Sequence, residues 1–183
     1  MSRTISELDV RTALADVEHR TWILRKSIWD YIKLTSNQIQ NLPVNGEYNL
    51  DQKRLNSETD RELENILLNA KQWYKAISRT AIPRDKRKAI KAVLDTDLQQ
   101  TIECLRDMRE HWEQTRRYFE NSELQIPEAQ TNVRWFKQKY PNANPWSSGM
   151  SVGIGYYIAG PEVLNLHNLL VEADRVDSIM QSS

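Results

Sequence analysis

From Ser6 to Leu42 the chain contains neither glycine nor proline, and a stretch of that length without either residue has few alternatives to a long helix. Within it Leu14, Val17, Thr21, Leu24, Ile28, Tyr31 and Thr35 recur at steps of three and four, which places them on one helical face. Trp22 and Trp29 lie seven residues apart and add a second apolar edge. A helix with two apolar edges needs partners on more than one side, so it belongs in a bundle core or along a dimer seam.

The remaining chain is punctuated in the same way. Pro43 ends the first helix, and Asn45-Gly46 marks a turn in a loop that runs to Asn56. Ser57 reads as an N-cap with Glu58 and Asp60 in the first turn, opening a helix that carries Leu63, Leu67, Ala70, Tyr74 and Ile77. Pro83 opens a short, strongly basic helix containing Arg84, Lys86, Arg87, Lys88 and Lys91. Asp95 or Thr96 starts a further helix whose inner stripe is Leu98, Ile102, Leu105, Trp112 and Phe119. Pro127 and Glu128 begin another, with Val133, Trp135 and Phe136, which stops near Tyr140-Pro141.

After a loop to Gly149 the period changes. Ser151 to Ile158 alternates like a strand, Ala159 to Glu162 reads as a turn, and Val163 to Leu166 can pair back as a second strand. The chain then finishes as a helix through Leu169, Leu170, Ala173, Val176 and Ile179. The expectation is an all-α fold, an antiparallel helical bundle with a small C-terminal β-hairpin and a final helix. It forms a single domain over 1–183, with the helical core at 6–140 and the hairpin and last helix at 150–181.

Charge narrows the function. With 25 basic and 25 acidic side chains the formal net charge is +0, which argues against a non-specific nucleic-acid coater but allows a local basic site. A single cysteine, Cys104, rules out an intrachain disulfide and suits a reducing cytoplasm; its apolar helical setting points to a buried residue rather than a nucleophile. No apolar run approaches the ~20 residues that span a bilayer, and the first residues lack the features of a signal peptide. No membrane role is expected. The six tryptophans are expected mostly in the core or at an interface. No histidine, cysteine and carboxylate spacing suggests a metal site, and no glycine loop suggests a nucleotide cofactor. His19, beside Arg20, and His167, near the hairpin, read as surface or half-buried residues.

One segment concentrates ionisable groups: Leu105-Arg106-Asp107-Met108-Arg109-Glu110-His111-Trp112. A cation beside an imidazole can bind a phosphate and move a proton. On a regular helix Arg106 and His111 point about 140° apart, so they converge on one ligand only if the helix is distorted or a second chain contributes. Asp107 and His111 are spaced i, i+4 and can meet on one face, where the carboxylate would orient the imidazole. Arg106 and Glu110 share the same spacing, so Arg106 can equally form an ordinary surface ion pair.

The arrangement Arg106-Asp107-Met108-Arg109-Glu110-His111 resembles the motif of the HEPN family (the higher eukaryote and prokaryote nucleotide-binding domain), an arginine followed by a polar residue and, shortly after, a histidine. The usual asparagine is replaced here by Asp107, and the resemblance covers the helical core up to Phe119. It implies a metal-independent endoribonuclease or RNA-binding protein, possible in toxin–antitoxin or phage-defence systems, whose site forms where two motif helices meet in a homodimer. It implies His111 as general base or acid, Arg106 as the group that stabilises charge on the phosphate, and Asp107 as the residue that orients His111. Arg109 would add a phosphate contact, and Arg84, Arg87 and Lys88 would help hold RNA. An antitoxin or other defence component would be the partner, and no cofactor is implied. The competing reading is a non-catalytic helical dimerisation module in which these charges form a solvated or interface face.

Overall fold

The computed structural model describes residues 5–40, 50–121 and 123–182. Helix α1 spans Glu7–Gln40, as the Gly- and Pro-free run requires. Its start is a reciprocal cap: the Ser6 N–H donates to the Asp9 carboxylate at 2.9 Å and the Asp9 N–H to the Ser6 hydroxyl at 3.2 Å. Val17, Thr21, Leu24, Ile28, Tyr31 and Thr35 are buried along its inner face, while Leu14 is only half-buried. The positions Pro43 and Asn45-Gly46 lie outside the described residues.

Helix α2 (Leu50–Ile77) runs antiparallel to α1. Two cross-links set the register: Asn69 donates to the Ser27 hydroxyl at 2.6 Å, and the buried Trp73 indole N–H donates to Thr21 at 3.0 Å. Ser57, expected as an N-cap, is instead inside α2, because the seven residues before it, Leu50 to Asn56, carry no proline or glycine to stop the helix from starting earlier.

Helix α3 (Arg84–Val93) packs on the last helix, and α4 (Thr96–Glu110) packs on α2. Asp95 caps α4, its carboxylate accepting from the N–H groups of Asp97 and Leu98 at 2.9 and 3.2 Å. The expected continuous helix to Phe119 is interrupted: α5 (Trp112–Thr115) and α6 (Arg117–Glu120) are separate short turns. Helix α7 covers Thr131–Lys139; residues 127–130 form a turn closed by the Gln130 N–H to the Pro127 carbonyl, so the helix begins later than Pro127 suggests.

The expected hairpin is a three-stranded antiparallel sheet in the order β1-β2-β3, with β1 at Ser148–Ser151, β2 at Gly155–Ile158 and β3 at Leu164–Asn165. Ser151 to Ile158 is not one strand. Gly153 (φ 81°) and Gly155 (φ 92°) take the left-handed region and fold the stretch into the β1–β2 turn, with Ser151 opposite Gly155. The turn expected at Ala159–Glu162 does join two strands, β2 and β3. Leu166 is not in the strand but begins α8 (Leu166–Gln181), capped by the Asn165 side chain, which accepts from the His167 N–H at 2.8 Å.

The sheet leans on the helices rather than standing alone, as a small sheet must. Tyr156 of β2 meets Tyr31 edge-on at 6.1 Å and shares a hydrogen bond with Ser36 at 2.6 Å. Helix α8 is tied to α1 by Arg25, which reaches Asp174 at 2.5 Å and Asp177 at 3.3 Å. The whole is mainly α with a small antiparallel sheet, and among the described residues no helix is long and apolar enough to cross a membrane.

Candidate functional site

Helix α4 presents Thr101, Ile102, Cys104, Leu105 and Met108 to the core, and so leaves Arg106, Asp107, Glu110 and His111 along its outer flank. At His111 the backbone leaves the helix (φ −113°, ψ 35°) and re-enters at Trp112. The break frees the Met108 carbonyl from its helical partner, and the buried Thr115 hydroxyl donates to it at 2.9 Å. Thr115 is also within reach of the His111 carbonyl at 3.1 Å. One side chain therefore stabilises the elbow. Thr115→Val keeps the shape and removes the donor; it is expected to cost about 1–2 kcal/mol in urea denaturation, and an unchanged midpoint would mean that the elbow stands without this bond.

The elbow separates the motif residues. Arg106 is half-buried and pairs with Glu110 at 2.7 Å, the ordinary i, i+4 partner. The Asp107 carboxylate accepts from the Asn132 side chain of α7 at 3.2 Å, not from the His111 ring. The reason is the break itself, since His111 no longer has the helical φ and ψ that would stack it one turn above Asp107. Its backbone N–H still reaches the Asp107 carbonyl at 3.1 Å. The imidazole is exposed, and no hydrogen bond of its ring is found among the described residues.

Arg109 does not face solvent as a phosphate ligand would. Its Nε donates to the Pro145 carbonyl at 3.2 Å, which ties the loop before β1 to α4. Burial pushes its guanidinium below the ordinary value, opposed by the nearby Asp60, Glu64 and Tyr31. With Arg106, Glu64, Leu67, Leu68 and Glu110 it lines a cavity of about 360 Å³ between α2 and α4, whose two cations are balanced by two carboxylates.

The basic helix lies elsewhere. Arg84 and Lys88 are exposed and Arg87 is half-buried, all on α3, which meets α4 at its N-terminus; the length of α4, about 22 Å, separates that end from His111. Lys86 is used structurally, donating to the carbonyls of Met180 at 2.7 Å and Ile179 at 3.2 Å at the negative end of α8. His19 stacks on Trp22 at 6.3 Å, and His167 is exposed in the first turn of α8. Cys104 is buried, and burial pushes its thiol up to about 12, so it is not a thiolate nucleophile.

Beyond the elbow the structure assembles a feature that spacing alone does not give. Trp112, Arg116, Phe119, Glu120, Lys137 and Trp146 line a cleft of about 590 Å³. The Arg116 guanidinium lies 5.8 Å from the Trp112 ring and the Lys137 ammonium 5.5 Å from Phe119. The i, i+4 spacing of Trp112 and Arg116 is visible in the sequence, whereas Lys137 and Trp146 arrive from distant segments.

Comparison of the chain with protein-family models, with curated proteins and with solved structures finds no match.

Proposed function

We propose that the α4–α5 elbow is a phosphodiester-cleaving site of the HEPN type and that the chain acts on RNA as an endoribonuclease. The observation that carries this reading is the interruption of α4 at His111, which turns the imidazole out of the helical row into solvent without a hydrogen-bonding partner among the described residues. An imidazole can take or give a proton at neutral pH, which is what attack by a ribose 2′-OH requires.

In the reaction the 2′-oxygen bonds to phosphorus while the bond to the 5′-oxygen breaks, leaving a 2′,3′-cyclic phosphate. One copy's His111 takes the 2′-OH proton, and the His111 of a second copy gives a proton to the departing 5′-oxygen. Arg106 supplies positive charge to the phosphate after exchanging Glu110 for it. That exchange is cheap, because an i, i+4 pair of this exposure is worth a few tenths of a kcal/mol, about 0.3–0.5. Asp107, held by Asn132, fixes the turn of α4 from which His111 departs rather than orienting the ring directly. The HEPN-like reading also carries a role in toxin–antitoxin or defence systems, with a neutralising partner that covers the elbow.

The test is digestion of mixed RNA by the wild type and by Arg106→Ala, with the new ends identified chemically. The expected result is 2′,3′-cyclic phosphate ends from the wild type and a loss of about 10²–10³-fold in the variant, the usual effect of removing one charge-stabilising donor. Equal cleavage by both proteins, or ends of another kind, would overturn the proposal.

A further inference from the structure

The cleft beyond the elbow has two walls that are braced from behind. Helices α5 and α6 supply Trp112, Arg116, Phe119 and Glu120, while α7 and the loop after it supply Lys137 and Trp146. The Lys137 ammonium donates to the Tyr118 carbonyl, which ties α7 to α6. Arg109 of α4 holds the loop through the Pro145 carbonyl at 3.2 Å, and the Asn144 side chain accepts from the Trp146 backbone N–H at 3.0 Å. Phe119 and Trp146 meet edge-on at 5.2 Å with their planes at 90°, which fixes one aromatic corner. A cleft braced in this way is formed before a ligand arrives, and about 590 Å³ suits a small ligand or one unit of a polymer.

The lining selects its ligand by shape and by charge. Trp112 keeps 46% of its surface exposed, more than the half-buried Phe119 and Trp146, so it is the ring left to take a flat partner. Arg116 and Lys137 against Glu120 leave one positive charge in excess, whereas the cavity between α2 and α4 is balanced. The Arg116–Glu120 pair is spaced i, i+4 and more than half exposed on both sides, so an anion displaces Glu120 at little cost. A cationic ligand is disfavoured, because cations already lie over the Trp112 and Phe119 rings. What fits is a flat ring that carries one negative charge, and a nucleotide within an RNA strand is such a unit. Position favours it over other aromatic anions. Trp112 directly follows His111, with Cα atoms about 3.8 Å apart, so a base held here adjoins a phosphate at the elbow.

We infer that this cleft is the subsite for an unpaired nucleotide next to the phosphate that is cut. Trp112 stacks on the base, and Arg116, with the charge of Lys137 beside it, takes a phosphate. The choice of RNA rests on the cleavage reading above, whereas the shape and charge of the cleft do not. A base inside a duplex has its faces covered by its neighbours, so the subsite selects single-stranded RNA.

Fluorescence anisotropy of a short, labelled, 2′-O-methylated single strand tests this, because that ribose lacks the 2′-OH that cleavage needs. Cleavage of unmodified RNA is assayed separately. The wild type should bind the strand more tightly than the same strand annealed to its complement. Trp112→Ala should weaken binding of the strand about tenfold, and Trp112→Phe should keep most of it. Arg116→Gln should lower the slope of log affinity against log salt by about 0.7, the share of one phosphate contact on a single strand. Trp22→Ala, at a more open tryptophan on α1 (59% exposed), should change nothing. Equal binding of strand and duplex, unchanged affinity in Trp112→Ala, or the same loss in Trp22→Ala would overturn the inference. So would binding of phenyl phosphate, followed by tryptophan quenching, without binding of the strand, since the cleft would then fit a phosphorylated side chain. Strand binding that depends on Trp112 in a protein that cuts no RNA would end the cleavage reading and leave the subsite standing. Cleavage together with strand binding indifferent to Trp112 would do the reverse.

Discussion

His111→Ala is expected to lower RNA cleavage by about 10²–10⁴-fold, the range for removing a general acid or base. The exposed ring has no hydrogen-bonding partner among the described residues, so its loss should change stability by no more than about 0.5 kcal/mol. That contrast makes the variant informative, because a drop in rate cannot be assigned to unfolding. Wild-type cleavage should follow a bell-shaped pH profile if one imidazole acts as base and the other as acid. The variant should lose the bell along with the rate. Retention of the wild-type profile at a uniformly lower rate would assign His111 to binding. Mixed oligomers of wild-type and His111→Ala chains should behave as dead sites, since each site needs both rings.

Glu172→Ala should destabilise the fold by about 2–4 kcal/mol, or roughly 4–16 °C in Tm for a chain of this length. Glu172 is buried on α8, where its carboxylate accepts from the Tyr74 hydroxyl of α2 and, at 2.5 Å, from the Asp95 N–H at the start of α4. Alanine would leave the buried Tyr74 hydroxyl without its acceptor and would free the Asp95 N–H at the head of α4. The pH dependence has a definite sign. Burial is the largest influence and raises the Glu172 carboxyl above its ordinary value, against the pull of the two donors. A raised native value means that the folded chain binds this proton more tightly than the unfolded chain does. The stability this proton contributes is fully present below the ordinary value and is lost as pH rises through the raised one. Glu172→Gln removes that titration, so its deficit against the wild type should shrink from acid toward neutral pH. A deficit that grows over the same range would show that the charged carboxylate is the stabilising form.

The sequence was most readable where a single local rule operated. The Gly- and Pro-free run and the apolar steps from Val17 to Thr35 predict α1 almost to its ends, and Asp95 is the cap it reads as. Reading fails where two local signals compete. Ser57, Glu58 and Asp60 look like a helix start, yet the helix-compatible residues before them carry α2 back to Leu50. Gly153 and Gly155 fit the small places in an alternating strand, but their positive φ makes them a turn. The motif residues themselves were visible from Arg106 to His111. The break among them was not, because Leu105 to Phe119 contains neither glycine nor proline. The Thr115 hydroxyl takes up the Met108 carbonyl at the break, a contact that depends on burial rather than on pattern. The partner of Asp107 was equally hidden, since Asn132 is 25 residues away on a different helix.

The link from Glu172 to the start of α4 also bears on when the motif helix becomes secure. The N–H of Asp95, the residue that caps α4, has its acceptor 77 residues further along the chain. During synthesis the helix carrying Arg106 and His111 emerges well before that acceptor exists. A nascent chain therefore has α2 for α4 to pack on but lacks this tie at the head of α4 until residue 172 has left the ribosome. If the elbow cleaves RNA as proposed, such an order of assembly delays the completed site until most of the chain has been made.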